Sequence, residues 1–333
     1  MTRLIQIQKE KFRRVALVEE PRVRFLEGCS SIYELAQMAL EAGKKLEEVA
    51  YARVENDSVD YDALYTGRAE WRLLPPIDHP REPARCMVSG TGLTHVGSAR
   101  DRQSMHANAG EQQTDSMKMF RWGVEGGRPE AGRIGIPPEW FYKGTGSTLR
   151  AHGEPLDIPF YAEDGGEEAE IAGLYVIAPD GAPTRIGMAL GNEFSDHQFE
   201  KKNYLNLAGS KLRTCALGPE LVIDYEFDSV PVTATILRND NVLWSKTFRT
   251  GEREMCHSLQ NIEHHHFKFE AHRRPGDVHV HFFGTDCLSF GDEIRLRDAD
   301  VMQIAAEGYG RPLRNPVRVD KSANTLVQVN SLR

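Results

Sequence analysis

The sequence is poor in features that staple, anchor or charge a chain positively. Its five cysteines, Cys29, Cys86, Cys215, Cys256 and Cys287, are scattered, odd in number and never in a Cys-x-x-Cys spacing. Neither a disulfide framework nor a zinc site is suggested, and reduced, partly buried thiols of a cytoplasmic protein are expected. No apolar run approaches the roughly 20 residues needed to span a bilayer, and Met1 to Ile7 reads as the start of a strand rather than a signal peptide. Basic residues are the minority, 41 against 49 acidic ones, for a net charge of -8 with no basic stripe. That balance argues against a nucleic-acid partner. A small anionic substrate stays compatible with it, because a bound metal ion supplies positive charge locally. Full glycine fingerprints are missing too: Gly90-x-Gly92 and Gly144-x-Gly146 are too short to be nucleotide-binding loops. No internal repeat or low-complexity tract is visible.

What is present is the material of an ordinary globular protein, with 40% apolar and 27% charged residues over 333 positions. That length suits two domains, or one large domain with an appendage. Residues 1–75 read as a small α/β unit. Arg14–Val18 and Val23–Leu26 are strand-like around a turn at Glu20-Pro21, and a helix is predicted over Ser31–Ala42, capped by Ser30 or Ser31 and stopped by Gly43. Residues 76–85 form a proline-rich linker. From residue 86 to 333 strand patterns dominate, including Ala169–Ile177, Leu221–Phe227, Thr233–Leu237, Val278–Phe283 and Glu293–Leu296. Ser98–Trp122 reads as one polar, methionine-spotted helix, more in keeping with a surface helix than with a lid. His264-His265-His266 is discounted as a metal tract, because consecutive residues on a strand face opposite ways.

The stretch Gly166-Glu167-Glu168-Ala169-Glu170-Ile171 is the unusual one. On a strand Glu168 and Glu170 share a face, where two carboxylates repel and raise each other's pKa unless a cation lies between them. A third carboxylate follows a Gly-Asn turn at Glu193, and Lys211 lies 18 residues beyond. Three carboxylates with open coordination positions suit a hard, oxygen-loving cation such as Mg2+; a solvated acidic edge is the alternative reading.

These segments resemble the fumarylacetoacetate hydrolase superfamily. Glu168-Ala169-Glu170-Ile171 stands in its E-x-E-L strand, Asn192-Glu193-Phe194-Ser195-Asp196-His197-Gln198 in its N-D-x-S turn, and Ser210-Lys211 through Gly218-Pro219 in its G-K-S segment. Phe141-Tyr142-Lys143-Gly144 matches F-x-K-P. Pro275-Gly276-Asp277, Gly284-Thr285, Gly291-Asp292 and Gly310 through Asn315 complete the ordered series over about residues 86–318. The resemblance implies an α+β, mostly β fold: a mixed β-roll catalytic domain behind a small N-terminal α/β domain, usually paired as a homodimer. It implies Glu168, Glu170 and Glu193 as ligands of Mg2+, with Mn2+ or Ca2+ as substitutes, and Glu193 departs from the family's usual Asp. It also implies a small 2-oxo acid substrate, with Lys143, Ser98, Gly284 and Thr285 contacting it and Lys211 in a catalytic role.

The family's water-activating His-x-x-Glu pair is not kept. Gly90-Thr91-Gly92-Leu93-Thr94-His95-Val96-Gly97-Ser98 stands there instead, with His95 at the family's tyrosine position and Ser98 at its histidine position. Hydrolysis needs a base to activate water, so the departure favours dehydration. This variant resembles a sugar-acid subgroup of 2-keto-3-deoxy-pentonate (arabinonate) dehydratases, which yield 2-oxoglutarate semialdehyde. In that reading Lys211, or a metal-bound water, takes the C3 proton, and His95 or His106 donates to the departing C4 hydroxyl. A hydrolase of 2,4-diketo acids, an oxaloacetate-type decarboxylase, and a non-catalytic sugar-acid-binding protein are the alternatives.

Overall fold

The computed structural model describes residues 1–106 and 114–332. The chain opens with strands β1 (Arg3–Lys9), β2 (Phe12–Glu19) and β3 (Arg22–Leu26), helices α1 (Ile32–Ala42) and α2 (Leu46–Tyr51), β4 (Val54–Asp60), α3 (Tyr61–Tyr65) and β5 (Arg72–Leu73). Next come β6 (Cys86–Gly92), α4 (Val96–His106), α5 (Asp115–Gly126), β7 (Glu139–Thr145), β8 (Leu149–Arg150) and β9 (Leu156–Ile158). The central stretch holds β10 (Ala169–Ile177), β11 (Pro183–Asn192), α6 (His197–Lys202), α7 (Leu207–Lys211), β12 (Cys215–Leu217) and β13 (Leu221–Val222). The last part supplies β14 (Val230–Arg238), β15 (Asn241–Thr250), α8 (Leu259–Phe267), β16 (Val278–Phe282), β17 (Val301–Ala306) and β18 (Leu313–Val319). The fold is mixed α+β and mostly sheet, as expected.

A 13-stranded sheet runs β4-β3-β2-β1-β13-β11-β10-β16-β6-β7, with β5 on β1, β12 on β11 and β8 on β12. The strands of the first 75 residues thus continue the same sheet, joined where Arg3 and Leu4 pair with Val222 and Leu221. Five strands, β15-β14-β17-β18-β9, make a second sheet. Apolar side chains from β10, β16, β6 and α1, among them Leu174, Val280, Val88 and Leu35, form one fully buried core; Ile171, Leu190, Val232 and Ile304 belong to a second, shared with the smaller sheet. The first core also holds the buried ring of Phe282, and Phe282→Ala costs about 3–5 kcal/mol by transfer and cavity terms.

Local signals succeed where the chemistry is local. Helix α1 starts where Ser31 Oγ accepts from the Glu34 amide and stops at Gly43 in the left-handed conformation, and it buries Ile32, Leu35, Ala36 and Ala39. Four expectations are corrected. The helix expected over 98–122 is two helices, because Thr114 caps a new start by accepting from the Met117 amide. The strand expected over 221–227 ends at Val222, after which Ile223 N bonds Thr2 O and Asp224 pairs with the N-terminal amine. Glu293–Leu296 is no strand, since Glu293 closes a 3-10 turn with a φ of 60°. The triple histidine lies on α8, not on a strand, and Ser258 caps that helix. Among the described residues no helix is long and apolar enough to cross a membrane.

Candidate metal centre and active site

The antiparallel register of β10 and β11 assembles the acidic cluster. Ala169 faces Asn192 and Glu170 faces Gly191, so Glu168, just before the strand, meets Glu193, just after its partner. The Glu193 amide donates to Glu168 O at 3.0 Å, and Asn192 Oδ1 accepts from the amides of Glu168 and Phe194. Phe194 takes a φ of 36°, a turn that aims the Glu193 side chain inward. One carboxylate oxygen from each of Glu168, Glu170 and Glu193 lies within 4.8 Å of the others, and all three residues are buried.

Two lysines enter the same space. Lys211, at the end of α7, donates to Glu168 Oε1 at 2.5 Å and to Glu193 Oε2, and its ammonium sits 4.6 Å from the centre of the Phe141 ring. Lys143 pairs with Glu193 Oε1 at 2.8 Å and donates to Phe194 O. His197 Nε2 lies 3.1 Å from Glu168 Oε1, and Ser195 Oγ donates to Glu193 Oε2 at 3.0 Å. Burial, then repulsion from Glu168 and Glu193, pushes the Glu170 carboxyl far above the usual range. Burial also raises Glu193, with Glu168 adding to it. At Glu168 burial acts upward as well, but Lys211 and His197 outweigh it and hold the carboxyl well below its usual value. Burial lowers Lys143.

This donor set fits a hard divalent cation. Lys211, Lys143 and His197 pair with Glu168 and Glu193, whereas among the described residues no ion pair reaches Glu170, whose Oε2 accepts from a neutral backbone donor, Gly284 N, at 2.7 Å. Oxygen donors without sulfur or imidazole favour Mg2+, Mn2+ or Ca2+ over softer metals.

The remaining expected residues distribute unevenly. Gly284 joins the cluster through that hydrogen bond, and its φ of 92° and an approach of 2.1 Å between a built Cβ and Thr94 Oγ1 require glycine. Thr285 is buried beside it, with its hydroxyl donating to Cys287 O. Ser98 Oγ donates back to His95 O within the first turn of α4. Among the described residues no hydrogen bond joins His95 to the carboxylates: Thr94 Oγ1 occupies Nδ1 at 2.8 Å and Thr250 Oγ1 occupies Nε2 at 3.0 Å. Because Thr94 spends its proton on Phe283 O, Nδ1 must donate and Nε2 must accept. Burial lowers the His95 pKa to about 3, so the ring is neutral. His106 closes α4, and its side chain lies outside the described residues.

Sequence reasoning missed two side chains. Glu139 is buried on the face of β7 that also carries Phe141 and Lys143; its Oε2 accepts from Tyr204 OH at 2.7 Å, and a Cβ on Gly92 would lie 1.9 Å from its Oε1. The period-two run Glu139-Phe141-Lys143 is the signal that would have found it. His197 was quoted within its motif but given no role, and only the fold brings it to Glu168.

No family model and no curated protein matches the chain. Solved structures do. A 2-keto-3-deoxy-D-arabinonate dehydratase in its apo form is 20% identical, with a TM-score of 0.71 over 96% of this chain and all of that one. The same enzyme complexed with magnesium and 2,5-dioxopentanoate is 21% identical, with a TM-score of 0.70 over the same shares. A 5-carboxymethyl-2-hydroxymuconate delta-isomerase from Mycobacterium smegmatis is 18% identical, with a TM-score of 0.58 over 96% of this chain and all of that one. The fold implied by the superfamily resemblance is the fold observed.

Proposed function

We propose that the protein is a Mg2+-dependent hydro-lyase acting on a 2-keto-3-deoxy-pentonate and releasing water and 2,5-dioxopentanoate. The observation that carries this reading is the convergence of three buried glutamate oxygens with Lys143 and Lys211. The likeness to a dehydratase that binds magnesium and 2,5-dioxopentanoate supports it. Glu168, Glu170 and Glu193 would hold the cation. When bound, it would supply Lewis acidity that makes the C3 protons of a 2-oxo acid easier to remove.

The chain's own residues do the rest. The Gly284-Thr285 turn receives the substrate carboxylate, the Thr285 hydroxyl turning to it from Cys287 O, and Lys143 holds the C2 oxygen as charge develops on it. Lys211 donates to two of the carboxylates; with a cation held by the same carboxylates it would release its proton to solvent, and its neutral amine would then take a proton from C3. The C4–O bond then breaks, and the departing hydroxyl takes a proton and leaves as water. His95 is a poor donor for that proton, being neutral with its only N–H committed to Thr94. Glu139, on the inward face beside Phe141 and Lys143, is the better placed acid. Two further proton shifts, from C5 and its hydroxyl onto C3 and C4, convert the unsaturated product to the aldehyde, so atoms balance as pentonate to dioxopentanoate plus water.

The test is a panel of D- and L-2-keto-3-deoxy-pentonates and acylpyruvates, assayed with Mg2+ and with EDTA. Mg2+-dependent formation of 2,5-dioxopentanoate is expected. Cleavage of acylpyruvates with every pentonate untouched would replace dehydration by C–C hydrolysis.

A further inference from the structure

The acidic run before β10 contains a fourth carboxylate that the metal site leaves unused. Glu167 is only 2% exposed, and it turns away from the cation cluster to grip Ser289. Its Oε1 accepts from the Ser289 amide at 2.8 Å and its Oε2 from the Ser289 hydroxyl at 2.6 Å. Three residues along the same segment, Glu170 Oε2 accepts from the Gly284 amide. The loop between these anchors is therefore tied at both ends to one stretch of backbone, and that stretch also carries metal ligands. Thr285 lies inside it, as do Cys287 and Leu288, all buried. On its other side the loop meets the start of α4, where Asp286 Oδ1 accepts from the Gly97 amide at 2.7 Å.

We infer that Glu167 is a positioning residue that sets the substrate-carboxylate loop against the metal centre. The inference rests on the proposed function, in which Gly284 and Thr285 receive that carboxylate. Without the Ser289 anchor the loop would be held at Gly284 and, on its far side, at Asp286, which leaves its C-terminal end untied behind Thr285. Pinning Ser289 through two donors removes that freedom, and a misplacement of about 1 Å in a substrate-positioning group can cost up to about 100-fold. The chemistry of the grip requires two acceptors, or an acceptor and a donor, at the end of a side chain of this length. Glutamine meets the second requirement, because its carbonyl can accept from the Ser289 amide while its amide donates to the rotated hydroxyl. Alanine meets neither.

The experiment uses the full chain with Mg2+ and compares Glu167→Ala, Glu167→Gln and Ser289→Ala with the unsubstituted protein. Steady-state kinetics on the pentonate that turns over, Mg2+ titration by calorimetry, and hydrogen exchange of the 284–289 amides are read together. Glu167→Ala is expected to raise KM by about tenfold or more, within the range of a misplaced positioning group, with kcat little changed and Mg2+ affinity kept. Exchange should quicken in 284–289, and Glu167→Gln should restore both. An unchanged KM, or a loss of Mg2+ binding in parallel with KM, overturns the inference. If Glu167→Ala does not fold, Ser289→Ala decides: a KM equal to that of the unsubstituted protein overturns it. Failure of the underlying reading shows itself separately, as an unsubstituted protein that turns over no 2-oxo acid, and removes the inference with it.

Discussion

Acid should loosen this protein through histidines that the fold holds neutral, and His279 is the place to measure it. His266, His272, His279 and His281 crowd together beneath α8, with ring centres of His266 and His281 4.5 Å apart. Trp140 Nε1–H donates to His266 Nδ1 at 3.1 Å, so the proton of neutral His266 is on Nε2. That proton goes to His279 Nδ1, 2.9 Å away, which puts the His279 proton on Nε2, a buried atom without a fully formed partner. Adding a proton to either ring means setting two N–H groups against each other. Burial, with His272 beside it, lowers His279 to about 3; burial, with His279, lowers His281 to about 3. Unfolded, each histidine titrates near 6.5. A depressed folded pKa means stability that is complete above 6.5 and lost as pH falls from 6.5 toward 3. At pH 5 each such histidine costs about 2 kcal/mol by that linkage, and His95, also lowered to about 3 by burial, makes three. The sum, about 6 kcal/mol, is comparable to the whole stability of a typical domain, about 5–15 kcal/mol. Buried carboxylates with raised pKa, such as Glu170, act in the opposite direction, so a difference between variants isolates the histidine. Asparagine at 279 keeps an acceptor near the position of Nδ1 and does not titrate. The stability gap between the unsubstituted protein and His279→Asn, from urea midpoints at pH 8, 7, 6 and 5, should shift in favour of the variant by about 2 kcal/mol as pH falls. A gap that is constant across the series would refute the neutral-cluster argument.

Other consequences follow from the metal centre. Mg2+ should stabilise the folded chain by about 2.7 kcal/mol at 100 times its Kd, seen as a rise in Tm that EDTA reverses; a Tm indifferent to Mg2+ would count against the site. Glu193→Gln should weaken Mg2+ binding by more than the roughly 10–100-fold expected when an outer partner such as His197 is replaced by Ala, whereas Glu193→Asp should retain part of it; calorimetry with Mg2+ alone orders the three. Lys211→Met takes one cationic partner from Glu168 and Glu193, leaving them His197 and Lys143, and should cost up to about 3–5 kcal/mol in the absence of metal, with turnover lost even where Mg2+ restores stability. Gly284→Ala should lose both activity and stability, because its backbone conformation and Thr94 leave no room for the methyl group; a well-folded, active variant would remove Gly284 from the site.

Much of this was legible before the fold. Helix α1 announced itself through Ser31, its apolar spacing and Gly43, all interactions within a few residues. The long helix over 98–122 misled because polar composition hid the second cap at Thr114. Residues 293–296 misled because strand-like composition does not reveal a left-handed Glu293. Histidines 264–266 were set aside by strand geometry, yet a helix turns about 100° per residue, and that rotation is what delivers His266 to the buried cluster.

By itself the sequence determined that Glu168 and Glu170 recur at period two and that Glu193 follows a turn, while its resemblance to the superfamily pointed to Lys143, Lys211 and the missing His-x-x-Glu pair. Those are properties of neighbours along the chain, where alternation and turn chemistry act. Only the tertiary structure decided that Glu193 faces Glu168, that both lysines reach the carboxylates, that His95 is neutral and engaged by two threonines, and that Glu139 and Glu167 are buried beside the site and behind it. Each of those depends on strand register and on burial, which pair residues far apart in sequence and move their pKa values by removing water, and no local pattern encodes either.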